Sequence, residues 1–513
     1  MTAYDTIVVG AGHNGLVCAT YLAKAGQRVL LLEAAETVGG LAADREFHPG
    51  FHAPVAHTLS HFSSKVARDL DLQRNGFNPG SSELPLVGVG NGEPVVVHDG
   101  KISGVNAKDQ QAYSDYHGLL CRFAAFLEPF WSETMPRIGS NSIGEVITFA
   151  KLGLDLRRLG KKDMGEFLRI AALPMRDLVD EHFDNEQLKA MLCWDGLIGS
   201  KMAPRSPNSA VLALLYRLSG EMHGGHAIPG GGVSGLVSSL MASAENAGVD
   251  IRVSSEVTRI RIDSDKERQR ATGVHLANGE SFAADRVVSA IDAQRTFVSL
   301  VGVEHLDIGF TNRIRRIRSD GYVGKLHLAL NALPEFRGVD RSDGRIIITP
   351  NMDAIEFAFD DAKYGTASAE PVMEVVIPSA VDSSLAPDSQ HVLSAHVMYI
   401  PYKARDGWTG AVRDEVRDRA IDTIAKYSNG LRDQIVASEF LTPADIEATY
   451  RVSGGHWHHG DFAMDQVLMM RPTYEAAQYN SPIAGLHLCS ASCHPGGDLT
   501  GLAGHNAAKA LLR

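Results

Sequence analysis

An α/β chain of two or more domains is predicted by three observations. The chain opens on a strand–helix–strand unit, read from a β-branched run, a helical apolar spacing and a second apolar run. Strand-like segments recur far downstream, on both sides of a long helical stretch. With 513 residues the chain also exceeds one ordinary core.

The opening unit is the most specific. Residues 4–10 read as a strand, because Thr6, Ile7, Val8 and Val9 are β-branched. Gly10-Ala11-Gly12-His13-Asn14-Gly15 follows, a G-x-G-x-x-G. Leu16, Ala19, Leu22 and Ala23 then stand at helical spacing, and Gly26 closes the helix. Apolar residues 29–32 run into Glu33. Gly10 permits the tight turn, Gly12 lets backbone approach a pyrophosphate, and Gly15 lets the helix pack on the strand. The helix N-terminus offers free N–H groups to phosphates, with Asn14 in its first turn, and Glu33 can accept from ribose hydroxyls. This reads as a dinucleotide site, of a kind NAD and FAD share, the alternative being a structural βαβ unit that binds nothing. Gly39 and Gly40, followed by Leu41, place a second close backbone approach just beyond the acidic strand end.

The run DTIVVGAGHNGLVCATYLAKAGQRVLLLEAAETVGGLAA resembles the start of flavoprotein oxidoreductases of the phytoene desaturase type. It is most similar to the branch that includes pyridine nucleotide-disulfide oxidoreductase domain-containing protein 2. The resemblance implies that the Glu33–Gly40 run wraps FAD. It implies a Rossmann-like FAD-binding domain of the glutathione reductase/amine oxidase type, plus a mixed-sheet substrate domain with a helical cap. It places the FAD domain in residues 1–75, 225–300 and 454–513, and the substrate domain in 76–224 and 301–453.

Composition narrows the partners. Net charge is −12, with 49 Lys+Arg against 61 Asp+Glu, which argues against nucleic acid as a main partner. The five cysteines are scattered, form no C-x-x-C and lack the companions of a zinc site, so neither dithiol chemistry nor a metal centre is expected. The N-terminus shows no signal-peptide pattern, and no run approaches the roughly 20 apolar residues of a membrane span, so a cytoplasmic enzyme is the expectation. Peripheral membrane contact stays open, because the substrates of related desaturases are lipids. No oligomeric state is assigned.

Between the opening unit and the C-terminus the elements follow in order. His52, His57 and His61 crowd the segment after the Pro49-Gly50 turn and read as hydrogen-bonded histidines. Residues 84–89 and 94–98 read as short strands, and 109–219 as mostly helical, with the first run stopped by Pro129. Helices are predicted over 173–183, 187–198 and 208–218. Gly230–Gly235 formally matches G-x-G-x-x-G, but Pro229 precedes it and no aliphatic strand leads in, so it reads as a helix opening. A strand over 250–257 and a hairpin over 257–262 and 271–276 follow, then a strand over 284–290. By resemblance Val257 presents its backbone to the adenine. Strands over 325–330, 345–349, 372–377 and 393–400, and helices over 412–427 and 432–436, complete the substrate part.

The last stretch carries the second strong signal. Gly485–Ser492 leads into Cys493-His494-Pro495-Gly496-Gly497-Asp498-Leu499-Thr500-Gly501, a strand, a Gly-rich turn and a helix start. It resembles the family's closing motif, which implies that Gly497, Asp498 and Leu499 lie at the flavin, with N–H groups favouring the anionic reduced form. Ser490 and Asp498 depart from the family pattern; Asp498 either tunes redox potential or points to solvent. His456, His459, Asp461 and His494 are the candidates for substrate-side acid/base chemistry, structural roles being the alternative. On an extended stretch His456 and His458 would face one way and His459 the other, which disfavours a metal.

The resemblance implies hydride transfer between flavin N5 and an apolar or polyene-like small molecule, by a desaturase or dehydrogenase. An FAD-dependent amine oxidase, a reduced-flavin isomerase and a protein that keeps FAD as a structural element are the alternatives.

Overall fold

The computed structural model describes residues 4–80, 83–137, 139, 142–207, 210–265 and 268–513. The strand Tyr4–Val9 lies between Val29–Leu32 and Ser281–Ser289, all parallel. Asp250–Arg252 extends this sheet on one side and Leu486–Leu488 pairs on the other, again in parallel. The antiparallel hairpin Val257–Asp265 and Arg268–Leu276 completes a seven-stranded sheet. Its central strands are apolar on both faces, and Ile7, Val8, Leu30, Leu31, Val287 and Val288 are all buried. Such strands require cover on both sides. Helix His13–Lys24 packs on Leu502–Leu511 and Gly232–Asn246, which joins the two ends of the chain to its middle.

A second sheet of eight strands is drawn from the intervening segments, in the order Ile435–Leu441, Val323–Leu330, His391–Met398, Met373–Val376, Arg345–Ile348, Leu86–Val89, Val95–His98, Lys101–Ser103. One face packs on helix Gly410–Ala425 through residues such as Val416, Ala420 and Ile424. The other face meets a helical cap built from Ala107–Trp131, Glu186–Leu197, Ala210–Leu218 and three shorter or more peripheral helices.

Three expectations shift. Pro129 does not stop its helix, which runs from Ala107 to Trp131 with Pro129 in the last turn. The strand expected over 250–257 is two strands, because Ser254 takes a left-handed φ of 49° between them. Residues 456–461 form turns, not an extended stretch; Gly454, Gly455 and Gly460 all adopt positive φ. The expectation over 208–209 lies outside the described residues, and the helix there begins at Ala210. Among the described residues no helix is long and apolar enough to cross a membrane.

Candidate functional site

One cavity runs from the opening glycine turn into the space between the sheets. Counted with its open mouth, it holds about 1670 Å³ of empty space.

Its first end is a cradle of backbone. Gly10 turns the chain at φ 97°. A Cβ at Gly15 would lie 2.1 Å from the Gly10 carbonyl oxygen, so only glycine lets this helix approach its strand. A Cβ at Gly12 would meet nothing within 4 Å, since that space belongs to the cavity. Gly12 caps helix His13–Lys24 with no side-chain hydrogen bond, which leaves first-turn N–H groups for an anion. Gly39 donates its N–H to the Ala11 carbonyl at 2.8 Å, and Gly40 lies over Gly12. Glu33 accepts from the N–H groups of Ala11 at 2.7 Å and Ala35 at 2.9 Å, and lines the cavity together with Ser255 and Val257. Asn14 lines the cavity and also accepts the Gly504 N–H at 3.2 Å, tying the first helix to the last. His13 Nε2 and His459 Nδ1, on two residues that line the cavity, are buried without a hydrogen-bond partner. Free N–H groups, glycine-lined space and orphaned imidazole nitrogens together fit a dinucleotide.

The closing motif supplies the next wall. Asp498 sits in the left-handed region at φ 63°, and its N–H donates to His458 Nδ1 at 3.2 Å. A Cβ at Gly497 would overlap His458 Nδ1 at 1.9 Å, so glycine is required beside that ring. Arg217, from the cap, donates to Asp498 at 3.0 Å and reaches the carbonyls of Asp195 and Ile198. Burial alone would raise the Asp498 pKa; Arg217, His458 and His61 together hold it below the usual carboxylate range. Asp498 therefore points to a buried cation, not to solvent.

The far end is a chamber of buried charge that the sequence reading did not single out. Arg345 pairs with Asp195 and Glu374, each at 2.7 Å. Trp194 Nε1 donates to Glu374 at 2.7 Å. His57 is held between Lys325 Nζ, 2.8 Å from its Nδ1, and Glu374, 3.1 Å from its Nε2. His396 donates Nε2–H to the Val55 carbonyl at 3.0 Å, and its Nδ1 has no partner. Burial, reinforced by Lys325, lowers the His57 pKa to about 3, and burial drives Lys325 well below the usual lysine value. His57, Glu374 and His396 are ligand types close enough to share an ion. Arg345 already places positive charge on that carboxylate, and Lys325 Nζ already occupies His57 Nδ1, which opposes a cation.

Of the acid/base candidates, His459 lines the cavity with its burial-lowered pKa of about 4. His456 pairs with Asp461 at 3.1 Å and Asp461 with Arg318, away from the main cavity. His494 donates Nε2–H to the Phe130 carbonyl, 2.8 Å away, beside Trp131, and is likewise not on the cavity wall. The chamber residues did carry a signal in the sequence: Lys325, Arg345, Glu374 and His396 are ionisable residues in largely apolar strands.

Comparison with known proteins places this geometry. Residues 15–512 match the family model for flavin-containing amine oxidoreductases. The chain is 30% identical over 546 residues to the pyridine nucleotide-disulfide oxidoreductase domain-containing protein 2 of Mus musculus, covering 99% of this chain and 93% of that one. It is 25% identical over 540 residues to a limonene dehydrogenase polypeptide of Castellaniella defragrans, covering 99% and 94%. In fold it is similar to cyclohexylamine oxidase from Brevibacterium oxydans, with a TM-score of 0.60, 14% identity and 100% of each chain covered.

Proposed function

Because the chain belongs to the family of flavin-containing amine oxidoreductases and its cradle fits FAD, we propose that it is an FAD-dependent dehydrogenase or desaturase acting on a C–H bond of an organic small molecule. One observation carries the reading: a single cavity joins the dinucleotide cradle to a chamber of buried charge in the second sheet. Buried charges cost stability and concentrate where chemistry needs them.

Bound FAD supplies a hydride acceptor at flavin N5. The chain supplies position and a destination for the proton that dehydrogenation releases. Gly12, Gly39, Gly40 and the first turn of helix His13–Lys24 would hold the pyrophosphate, and Glu33 would hold the ribose. In the chamber, Lys325 donates to His57 Nδ1, so His57 carries its hydrogen on Nε2 and donates to Glu374. Both of its nitrogens are engaged. His396 differs, because Nε2–H is spent on Val55 and Nδ1 keeps a free lone pair. Burial keeps this imidazole neutral, and His396 Nδ1 is the proton acceptor of the proposal. The substrate has an apolar body, as in the relative named for limonene, and reaches the chamber with the carbon that is oxidised.

An amine substrate is less well supported. Asp195 and Glu374 are both bound to Arg345, and Asp498 to Arg217, so these carboxylates are not left for a substrate ammonium. The test is the flavin spectrum under anaerobic conditions as candidate compounds are added. Bleaching by alkenes or cyclic terpenes and not by amines supports the proposal. Bleaching by amines alone, or turnover that needs reduced flavin without net bleaching, replaces it with an amine oxidase or an isomerase.

A further inference from the structure

Helix Ile143–Arg158 stands apart from the other cap helices, since none of its residues is buried. Its inner side rests on the cap core through Leu152, Leu156 and Leu159. A helix so placed normally turns a polar face outward. This one does the reverse over its first three turns. Ile143 is 78% exposed, Val146 55%, Ile147 61% and Leu154 49%. At 3.6 residues per turn these four fall with Ala150 on one arc, opposite the packed leucines. Leu168, on the next helix, is exposed as well.

The charges around this arc have a sign. On the same outward side, Lys151 flanks the apolar stripe, and Arg157 and Arg158 end it. Lys161 and Lys162 follow at the start of helix Gly160–Ile170. The nearby acids are taken: Asp155 pairs with Arg158, Asp163 with Arg122, and Glu166 with Arg169. Among the described residues Lys151, Arg157, Lys161 and Lys162 make no ion pair. A basic rim on a chain of net charge −12 is a local exception.

We propose that this helix is an interfacial anchor that lays its outer arc into the surface of an anionic lipid bilayer. An apolar stripe bordered by unpaired Lys and Arg matches such a surface on both counts, acyl boundary and headgroup charge. A second copy of the chain matches it less well. A two-fold contact through this face would bring two copies of the basic rim, Lys151, Arg157 and Arg158 from each chain, into one interface. The proposal does not depend on the reaction assigned above.

The test uses the full FAD-loaded chain and vesicle flotation, with vesicles of phosphatidylcholine alone or containing one quarter phosphatidylglycerol. The wild type is expected to float with the anionic vesicles and to be released by salt. The variant I147E/L154E is expected to lose at least tenfold in binding while keeping its bound flavin and melting temperature. Each of K151E and R157E is expected to cost about fivefold or more, the order of one juxtamembrane cation. As a direct readout, the indole of L154W should shift its fluorescence to the blue on anionic vesicles. Wild type that stays with the soluble fraction, or floats no better than I147E/L154E, overturns the proposal. So does a concentration-dependent dimer that I147E/L154E abolishes without any vesicle binding, since the face would then belong to a second copy.

Discussion

Asp498→Asn tests how the closing motif is held. The asparagine keeps the shape of the side chain and tolerates the left-handed φ of 63° at this position, so the change isolates the charge. It leaves the buried Arg217 guanidinium without the carboxylate now 3.0 Å away. Removing one partner of a buried pair costs about 3–5 kcal/mol. Arg217 keeps two backbone carbonyls as acceptors, those of Asp195 and Ile198, which places the expected cost near the lower end, about 3 kcal/mol. The urea slope rises with size, so a chain of 513 residues lies at or above the roughly 3 kcal/mol/M upper end for small proteins, and the unfolding midpoint should fall by about 1 M or less. The assay is urea titration of the FAD-loaded protein, followed by flavin release and tryptophan emission. The pH dependence gives an independent check. Asp498 has a depressed pKa in the folded protein, so its contribution is complete above the unfolded value of about 3.9 and fades as pH falls below it. The gap between wild type and variant should be constant from mildly acidic to neutral pH and narrow below about pH 4. A variant whose midpoint matches the wild type at neutral pH would refute the claim that this pair holds the cap to the closing motif.

Four further outcomes follow from the same geometry. Gly15→Ala puts a Cβ 2.1 Å from the Gly10 carbonyl and should destabilise the protein by about 1–3 kcal/mol, whereas Gly12→Ala meets no protein atom within 4 Å and should leave apoprotein stability unchanged while weakening FAD binding at least tenfold; calorimetry and flavin titration separate the two. Replacing Asp498 by Asn also removes a negative charge from the cavity wall, so the midpoint potential of bound FAD should rise, as measured by dye-coupled titration. His13, His57, His226 and His459 are buried with pKa values lowered to between about 3 and 4; the unfolded chain binds protons there first, so stability should fall as pH drops from about 6.5 toward 4, by about 1.4 kcal/mol per pH unit for each such histidine, which urea midpoints across that range will show. His396→Gln should slow anaerobic flavin reduction by about 10²–10⁴-fold with little change in FAD affinity, and an unchanged reduction rate would remove His396 from the chemistry.

The cradle was legible because each of its parts is local. Gly10, Gly12, Gly15 and Glu33 stand within one strand–helix–strand unit, and the turn, the close approach and the acidic strand end each require a residue type at a fixed offset. The closing motif was legible for the same reason. The chamber was not, because its members come together only through strand pairing. Arg345 meets Glu374 across adjacent antiparallel strands, and His57 reaches Lys325 over a separation of 268 residues. In the sequence the strand members look like charges in apolar runs, and His57 like one of three crowded histidines. The density of histidines at 456–459 was misleading in another way. Positive-φ glycines fold that segment into turns, so His456 is paired with Asp461 while His458 and His459 reach the cavity. Asp498 could not be assigned from its neighbours in the chain, since its partner Arg217 lies in the cap, 281 residues away.

The central claim is that the glycine cradle and Glu33 hold FAD. It is tested most directly by the visible spectrum of the purified protein beside that of Gly12→Val, both after reconstitution with FAD and gel filtration. The account predicts a stoichiometric flavin spectrum for the wild type and a colourless, folded variant. A variant that keeps its full complement of flavin, or a wild type that takes up none, would contradict it.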